Sequence, residues 1–311
     1  AIPGCQLWLD AADRSSLTLS GNNITQWNDK SSNATAMTVS TGTPVLSNYN
    51  GVSSVYLNGS TRLQSLNYTR IRGASNVNWF VVADVSNVNI SYGLLIGTVY
   101  SADFFSQNTL YVNSNTLLYF FRRAYQTTAI SVSRAVTAGG VVGGAAVSYS
   151  TGAYSVASNG NVTSATGGPT GTQDSNNVHL YIGNDNYPGD AFITGTISEC
   201  LLYTSDVTAS QRQQIEGYLA HKWGLRTNLP TTQPYRTIPP FVRPLIPTDV
   251  GVCEFWFDAA DQRTIDSSGG TLVTMGNKGT TQGSNITVRG GVPTTGLVVQ
   301  NGLNVIRGGS L

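Results

Sequence analysis

The amino-acid sequence predicts an all-β protein, a sandwich or jelly roll of short strands followed by one amphipathic helix. Short apolar or alternating runs are separated by turns rich in Gly, Asn and Ser, which is typical of these folds. The 34 glycines fit a chain with many turns. Charged residues make up only 11%, well below the ~25% of ordinary soluble proteins. Only one segment breaks this strand pattern with helical periodicity.

The predicted strands follow one another along the chain. Alternating apolar positions at 5–9 predict a half-buried strand, and the apolar run at 79–85 predicts a fully buried one. Ser158-Asn-Gly160 predicts a hairpin, because Asn and Gly tolerate the positive φ angles of a tight turn. Further strands are predicted over 94–99, 109–112, 117–125, 145–150, 178–182 and 193–203.

A helix is predicted over 209–223, directly after the last strand. Thr208 and Gln211 have the spacing of a capping box, in which each side chain bonds the backbone of the other. We interpret the helix as a stabilising cap that packs its apolar stripe onto the sandwich. The stripe and the glycine that ends the helix are Ile215, Leu219, Trp223 and Gly224.

The chain repeats part of itself. Residues 5–13 and 253–261 share a Cys, a Trp and an Asp-Ala-Ala-Asp run in the same register. Looser matches follow in the same order, 24–30 with 272–278 and 50–55 with 301–306. A duplicated module therefore accounts for the sequence.

A proline-rich segment separates the two copies, and proline favours extended, non-helical backbone. We therefore predict a β-sandwich module over 1–229 and a semi-rigid linker over 230–249. Residues 250–311 are predicted to be the first part of a second, incomplete copy. The prolines are Pro230, Pro234, Pro239, Pro240, Pro244 and Pro247.

Composition excludes several classes of function. The net charge is +1 and the basic residues are scattered, so nucleic-acid binding is not expected. No apolar run approaches the ~20 residues of a membrane span. With three cysteines and two histidines, far apart, no zinc site is expected. Low charge with many small polar residues is typical of extracellular, adhesive or virion-surface β proteins.

Four segments carry a family resemblance. They are Trp8-Leu-Asp-Ala-Ala-Asp13, Trp27-Asn-Asp-Lys30, Ile197-Ser-Glu-Cys-Leu-Leu-Tyr203 and Tyr218-Leu-Ala-His-Lys-Trp-Gly-Leu225. With them, nearly all of residues 1–225 resembles the concanavalin A-like lectin/glucanase superfamily, and within it the laminin-G-like, or pentraxin-like, modules. The resemblance implies a jelly roll of two antiparallel sheets with adjacent first and last strands. Such modules are repeated in bacterial surface proteins and in structural proteins of large DNA viruses, such as minor capsid proteins.

Adjacent first and last strands would bring Cys5 and Cys200 near each other. The resemblance thus allows a disulfide between them, with Cys253 as the first half of an equivalent pair in the second copy. The alternative is a pair of small buried thiols.

No catalytic constellation is found in the sequence. A retaining glycosidase needs two carboxyl groups about 5–5.5 Å apart. The glutamates Glu199, Glu216 and Glu254 are isolated, and no cluster of the glucanase type is present. We therefore predict that the chain is not an enzyme.

Asp10 and Asp13, repeated as Asp258 and Asp261, form the most conspicuous acidic pair. One interpretation is a calcium site, the only cofactor that the sequence suggests. The favoured one is structural, with Asp10 ending a strand and Asp13 opening a turn, because two carboxylates fall short of the 6–8 oxygens that calcium takes.

A loop before the last strand is the second candidate site. It combines amides, carboxylates and one aromatic ring, the mixture that lectins use for sugars. The alternative is an exposed turn rich in Asn, Asp and Gly. The candidate ligand-binding residues are Asn184, Asp185, Asn186, Tyr187 and Asp190, with Asp103 and Tyr125 from neighbouring loops or strands.

Two functions remain open. The first is a structural or assembly module of a virion or cell surface, whose partners are other structural proteins of the same assembly. The alternative is a carbohydrate-binding module, with calcium as a candidate requirement, that attaches to glycans. Both predict a location on a virion, outside the cell or at its surface.

Overall fold

The computed structural model describes residues 4–100, 106–121, 130–173 and 178–240. It also describes residues 257, 265–268, 271–275, 277, 285–287, 299–300 and 303–304. The chain divides into two compact units, residues 1–240 and 241–311. Within the described residues the fold is all-β apart from one α-helix and two short 3₁₀ turns, which confirms the predicted class at that level.

The first unit holds most of the described structure. Strands β1 to β9 span Cys5–Asp10, Leu17–Ser20, Asn23–Asn28, Ala36–Thr41, Val45–Tyr49, Val52–Asn58, Arg62–Ser65, Asn76–Val85 and Gly93–Tyr100. Strands β10 to β17 span Ser106–Asn113, Thr116–Phe121, Ile130–Ala135, Gly139–Ser148, Ala153–Ser158, Asn161–Ala165, Val178–Ile182 and Thr194–Tyr203. The helix α1 spans Ala209–Lys222, and 3₁₀ turns span Arg14–Ser16 and Arg226–Asn228.

The strands of this unit pair antiparallel in two runs. The first ladder has the order β15–β14–β13–β8–β17, and β17 also pairs with β6 at its N-terminal end and with β1 at its C-terminal end. The second ladder has the order β12–β11–β10–β9–β16–β7–β4–β3–β2. Because β5 pairs with both β6 and β3, the ladders join into one sheet. The expected adjacency of first and last strands is confirmed by β1 and β17.

The two ladders share one hydrophobic core. Leu7, Val81 and Ile197 of the first ladder belong to the same buried cluster as Leu110 and Leu180 of the second. Burial of such side chains is the main stabilising contribution to a fold of this kind. The core therefore ties the ladders together.

Strand β8 is buried on both sides, as its continuous apolar run predicts. Trp79 and Val81 point into the shared core, whereas Phe80 and Val82 belong to a separate cluster on the outward side. Period-2 alternation disappears in this strand because α1 covers the outward side.

Helix α1 begins with the predicted capping box. The Thr208 hydroxyl accepts from the backbone N–H of Gln211 at 3.2 Å, and the Gln211 side chain accepts from the Thr208 N–H at 2.9 Å. Gly224 follows the helix with a φ of +71°, where a residue with a Cβ would be strained. The apolar stripe lies in one cluster with the outward side chains of the first ladder, and its buried members are Ile215, Leu219, Ala220 and Trp223.

Residues 230–240, the first part of the predicted linker, fold against α1. Gln233 is buried, and its side-chain amide donates to the Gln213 carbonyl oxygen at 2.9 Å. A Cβ at Gly217 would lie 2.4 Å from the Cβ of Tyr235, so the glycine permits this close contact. This half of the segment is therefore not an extended spacer, because it is anchored on the helix. Residues 241–249 lie outside the described residues.

The second unit contains short hairpins. Strand β18, Ile265–Ser268, pairs with β19, Thr271–Met275, and β19 pairs with β20, Ile286–Thr287. The same order of pairing joins β2, β3 and β4 in the first unit. A last hairpin joins β21, Val299–Gln300, to β22, Leu303–Asn304. The boundaries 1–229, 230–249 and 250–311 stay predictions, and Cys253, Glu254, Asp258 and Asp261 lie outside the described residues.

The disulfide that the resemblance allowed is not formed. Cys5 and Cys200 are both free thiols, since Cys5 stands opposite Tyr203 and Cys200 opposite Leu9. Burial raises the pKa of the Cys5 thiol to about 11, and it also raises the pKa of the Cys200 thiol well above its ordinary value. The alternative, a pair of small buried thiols, fits Cys200, whereas Cys5 is only partly buried.

No helix among the described residues is both long and apolar enough to cross a membrane.

Candidate functional site

The loop between β16 and β17 is held by its own hydrogen bonds. The Asn184 side chain accepts from the Asn186 N–H at 2.8 Å and donates to the Asp190 carbonyl oxygen at 3.0 Å. The Asp190 N–H donates to the Tyr187 carbonyl oxygen at 3.2 Å. Asn186 has a left-handed φ of +70°, which asparagine tolerates better than most residues. The loop therefore has a fixed shape, and Asn184 serves that shape.

Asp185 is fully buried beneath this loop. Its carboxylate accepts from the Tyr111 hydroxyl and, at 3.2 Å, from the backbone N–H of Tyr187. Tyr111 lies on the outward side of the second ladder, in a small cluster apart from the shared core. Asp185 thus anchors the loop to the ladder and does not face solvent.

Asp190 shares a hydrogen bond with Asp185. Partial burial and the neighbouring Asp185 carboxylate raise the pKa of Asp190 to about 7. Two carboxyl groups in contact cannot both ionise without repulsion, so one of them holds a proton below neutral pH. Near neutrality Asp190 is both a hydrogen-bond donor and an acceptor.

Arg62 on β7 lies beside the loop. Its guanidinium donates to the Asn186 side chain and, at 2.9 Å, to the Ser40 hydroxyl, and it lies 5.5 Å from the ring centre of Tyr181. No carboxylate of the described residues lies within ion-pair distance of Arg62. Its positive charge is therefore available to an anionic ligand.

Two tyrosine rings are exposed here. Tyr187 is 44% exposed at the loop, and Tyr92 is 39% exposed and packs edge-on against Tyr111 with ring centres 5.7 Å apart. Such rings offer an apolar face and a polar tip. We call Arg62, Tyr92, Asn186, Tyr187 and Asp190 the loop patch. It combines aromatic faces, a cation and a carboxyl group of raised pKa on a rigid support.

The structure separates the predicted site residues into two groups. Asn186, Tyr187 and Asp190 reach the surface, whereas Asn184 and Asp185 are buried. Asp103 and Tyr125 lie outside the described residues. Arg62 and Tyr92 were missed, because they come from a strand and a turn that only the tertiary fold brings to the loop.

Asp10 and Asp13 have structural roles. Asp10 ends β1, and its carboxylate binds Lys30 at 2.9 Å and Lys222 at 2.7 Å. Asp13 accepts from the Ser15 N–H at 3.1 Å and so caps the following 3₁₀ turn. The described residues contain no group of three or more His, Cys, Asp or Glu side chains that could hold a metal ion. Because lysines bind these carboxylate oxygens, the contacts favour the turn interpretation.

The motifs of the family resemblance meet around Glu199. This fully buried carboxylate accepts from the Trp8 indole at 2.8 Å, the Trp223 indole at 2.7 Å and the Tyr218 hydroxyl at 3.0 Å. It also binds Lys222 at 2.7 Å, and Lys222 links it to Asp10. We call Trp8, Asp10, Lys30, Glu199 and Lys222 the motif hub. The hub joins β1, β17 and α1, and its charges compensate one another.

Comparisons with known proteins show the fold. No family model matches the chain, and no curated protein matches its sequence. The binding domain of botulinum neurotoxin DC, in complex with SialylT, has a TM-score of 0.53 at 10% identity, over 70% of this chain and 52% of that chain. The binding domain of Paraclostridial Mosquitocidal Protein 1 has a TM-score of 0.51 at 14% identity, over 69% of this chain and 52% of that chain.

A third structure comes from botulinum neurotoxin type C, whose cell entry depends on interaction with two ganglioside molecules. Its TM-score is 0.52 at 10% identity, over 70% of this chain and 51% of that chain. This chain therefore spans about half the length of the structures that it matches. At such identities the likeness shows only that the chain shares an all-β fold with these structures.

Proposed function

We propose that this protein is a non-enzymatic carbohydrate-binding module that binds glycans at the loop patch. The observation that carries the proposal is the exposed Tyr187 ring on a loop fixed by internal hydrogen bonds, next to Arg62 and Asp190. A preorganised aromatic and polar surface binds a flexible ligand at low entropic cost. The similarity in fold to toxin binding domains, two of them described with SialylT or gangliosides, supports the same function.

The charge of the patch favours acidic glycans. Arg62 has no carboxylate partner among the described residues, and a guanidinium binds a sugar carboxylate through two parallel hydrogen bonds. Asp190 shares a proton with Asp185, so it repels the sugar carboxylate less than an ionised carboxylate would. We therefore propose sugars that carry a carboxylate, displayed at a cell surface, as the ligand class.

The architecture that we propose is a jelly roll of the laminin-G-like, or pentraxin-like, branch, with the two ladders as its two layers. The shared core and the pairing of β1 with β17 support this arrangement. The corresponding location is outside the cell, at its surface or on a virion.

Binding of the full chain to an array of acidic and neutral glycans tests the function, with calcium and again with chelator. We expect binding to acidic glycans in both conditions, because lysines occupy Asp10 and Asp13. The variants Tyr187→Ala and Arg62→Gln should each weaken binding at least tenfold. Ile238→Ala, which truncates an exposed side chain away from the loop, should bind like the parent protein. A folded protein without binding on the array, or variants without effect, would contradict the proposal.

A structural or assembly module is the second candidate. The observation in its favour is the repeat of the 5–13 motif at 253–261, since tandem modules suit rigid arrays. Its partners would be other structural proteins of the same assembly. Cross-linking within the native assembly, followed by mass spectrometry, should then place residues 230–311 against those proteins, and cross-links confined to this chain would oppose it.

A further inference from the structure

A second concave surface lies on the outward side of the first ladder, away from the residues of the loop patch. It is a groove of about 520 Å³ between strands β8, β13, β14 and β15 and the residues that precede α1. Its volume falls within the ~300–1,000 Å³ of typical small-molecule sites. None of the residues of the loop patch or the motif hub lines it.

The floor of the groove is a row of side chains across four strands. Asn78 pairs with Ala146, Ala146 with Ser155, and Ser155 with Ser164. Directly paired residues of a sheet point to the same side, and neighbouring strands lie about 4.8 Å apart. The row therefore presents one amide and two hydroxyl groups at regular spacing, while Ala146 leaves room above the sheet.

One polar group of this row, the Asn78 amide, is held in place, and the row has unused hydrogen-bonding capacity. Asn78 is 5% exposed, and its side-chain N–H group donates to the Ser205 carbonyl oxygen at 3.0 Å, which fixes the amide. Within the described part of the chain, no hydrogen bond involves the Ser155 or Ser164 hydroxyl. The same holds for the carboxylate of Asp206, which lies at one end of the groove. These groups are free to bind a ligand.

The charge of the groove differs from that of the loop patch. Among the described residues that line it, Asp206 is the only acidic one, and none is Lys, Arg or His. A phosphate or an acidic sugar would be repelled here. Carboxylate, amide and hydroxyl groups together suit a ligand made of uncharged hydroxyl groups.

We propose that this groove is a second saccharide-binding site, for uncharged glycan chains. The ligand lies across the row of Asn78, Ser155 and Ser164, and its hydroxyl groups donate to the Asp206 carboxylate and the Asn78 carbonyl oxygen. The site does not depend on the loop patch, so the full chain binds two classes of glycan on separate surfaces.

Calorimetric titration of the full chain with neutral oligosaccharides of glucose, xylose, arabinose and galactose tests the site. Ser164→Trp fills the groove from an exposed position, and Asp206→Asn removes its carboxylate. We expect the first variant to abolish binding of the neutral oligosaccharide and the second to weaken it at least fivefold.

Two controls separate this site from the loop patch. Thr18→Trp places the same large side chain at an exposed strand position outside the groove, and it should bind normally. Tyr187→Ala should keep neutral binding while it weakens acidic binding. The proposal is wrong if the folded parent protein binds none of these oligosaccharides. It is equally wrong if Ser164→Trp binds as the parent does, or if Tyr187→Ala abolishes neutral binding too.

Discussion

The motif hub and the loop patch both contain acidic residues, but their charges are compensated in different ways. In the hub, Lys30 and Lys222 lie within 3.0 Å of carboxylate oxygens, and indole N–H groups complete the shell of Glu199. In the loop, Asp185 and Asp190 lie against each other, and the partners of Arg62 within the described ranges are all neutral.

This difference separates a structural role from a binding role. A buried carboxylate with four donors has no capacity left for a ligand, and removing it leaves its partners unsatisfied. A partly exposed carboxyl group beside an unpaired arginine keeps that capacity. The hub should therefore control stability, and the loop patch should control binding.

Substitution of a hub residue should lower the free energy of unfolding more than any other change considered below. Glu199→Ala leaves two indole N–H groups and the Tyr218 hydroxyl without this acceptor and removes one of the two carboxylates that bind Lys222, so the free energy of unfolding should fall by about 3–5 kcal/mol. Urea unfolding monitored by tryptophan fluorescence measures this loss. The matched variant Glu199→Gln keeps an oxygen acceptor and should lose clearly less. A loss below about 1 kcal/mol for Glu199→Ala would remove the distinction between hub and loop.

Substitution of Asp185 should lower the free energy of unfolding by an intermediate amount, because Asp185 is the one buried carboxylate of the loop. Asp185→Ala leaves the Tyr111 hydroxyl without this acceptor and should cost about 1–3 kcal/mol in urea unfolding. It should also weaken glycan binding by loosening the loop. Asp185→Asn keeps an acceptor for Tyr111 and serves as the control. Unchanged stability in Asp185→Ala would show that the loop is not anchored through this residue.

The pH dependence of stability should distinguish the two regions further. The pKa of Asp190 is about 7 in the folded protein and about 3.9 in an unfolded chain, so the folded state holds the extra proton. The contribution of Asp190 is therefore complete below about pH 4 and is lost as the pH rises through 7.

Melting temperatures between pH 4 and 8 test this dependence. Asp190→Asn should remove it, because an amide stays neutral and still donates to Asp185. A parent protein and a variant with the same pH profile would show that the proton is not shared between Asp190 and Asp185.

Of these variants, Tyr187→Ala should change the free energy of unfolding least. Its ring is 44% exposed, so truncation should change the free energy of unfolding by no more than about 0.5 kcal/mol. The same variant should lose glycan binding. A large destabilisation would mean that Tyr187 packs the loop, and the contrast with Glu199 would then fail.

The sequence predicted eight of the seventeen strands described in the first unit, among them the most buried ones, β8, β9 and β17. Each of the eight predicted strands overlaps an observed one, and the helix and its capping box were predicted as they are found. Strands β4 and β5 were not predicted, since β4 buries one residue and β5 buries none, and so they show no apolar alternation. Apolar alternation in the sequence arises because one side of a strand is buried. A strand with little burial therefore shows no such alternation.

The candidate site was predicted only in part. Composition identified the loop, but it could not separate Asp185, which is buried, from Tyr187, which is exposed. Both residues are polar and stand in the same turn-rich segment, and the difference between them comes from the Tyr111 hydroxyl on another strand.

The sequence by itself determined the all-β class, the helix with its cap, the internal repeat and the low charge. The class, the helix and the low charge depend on alternation, capping spacing or composition, and the repeat follows from direct comparison of two segments of the chain. Only the tertiary structure decided that Glu199 joins the Trp8 and Lys222 segments, and that Cys5 and Cys200 stand out of register. It alone brought Arg62 to the loop and formed the groove beside Ser164. Strand register and long-range pairing set these contacts, and no local pattern encodes which distant strands will be neighbours.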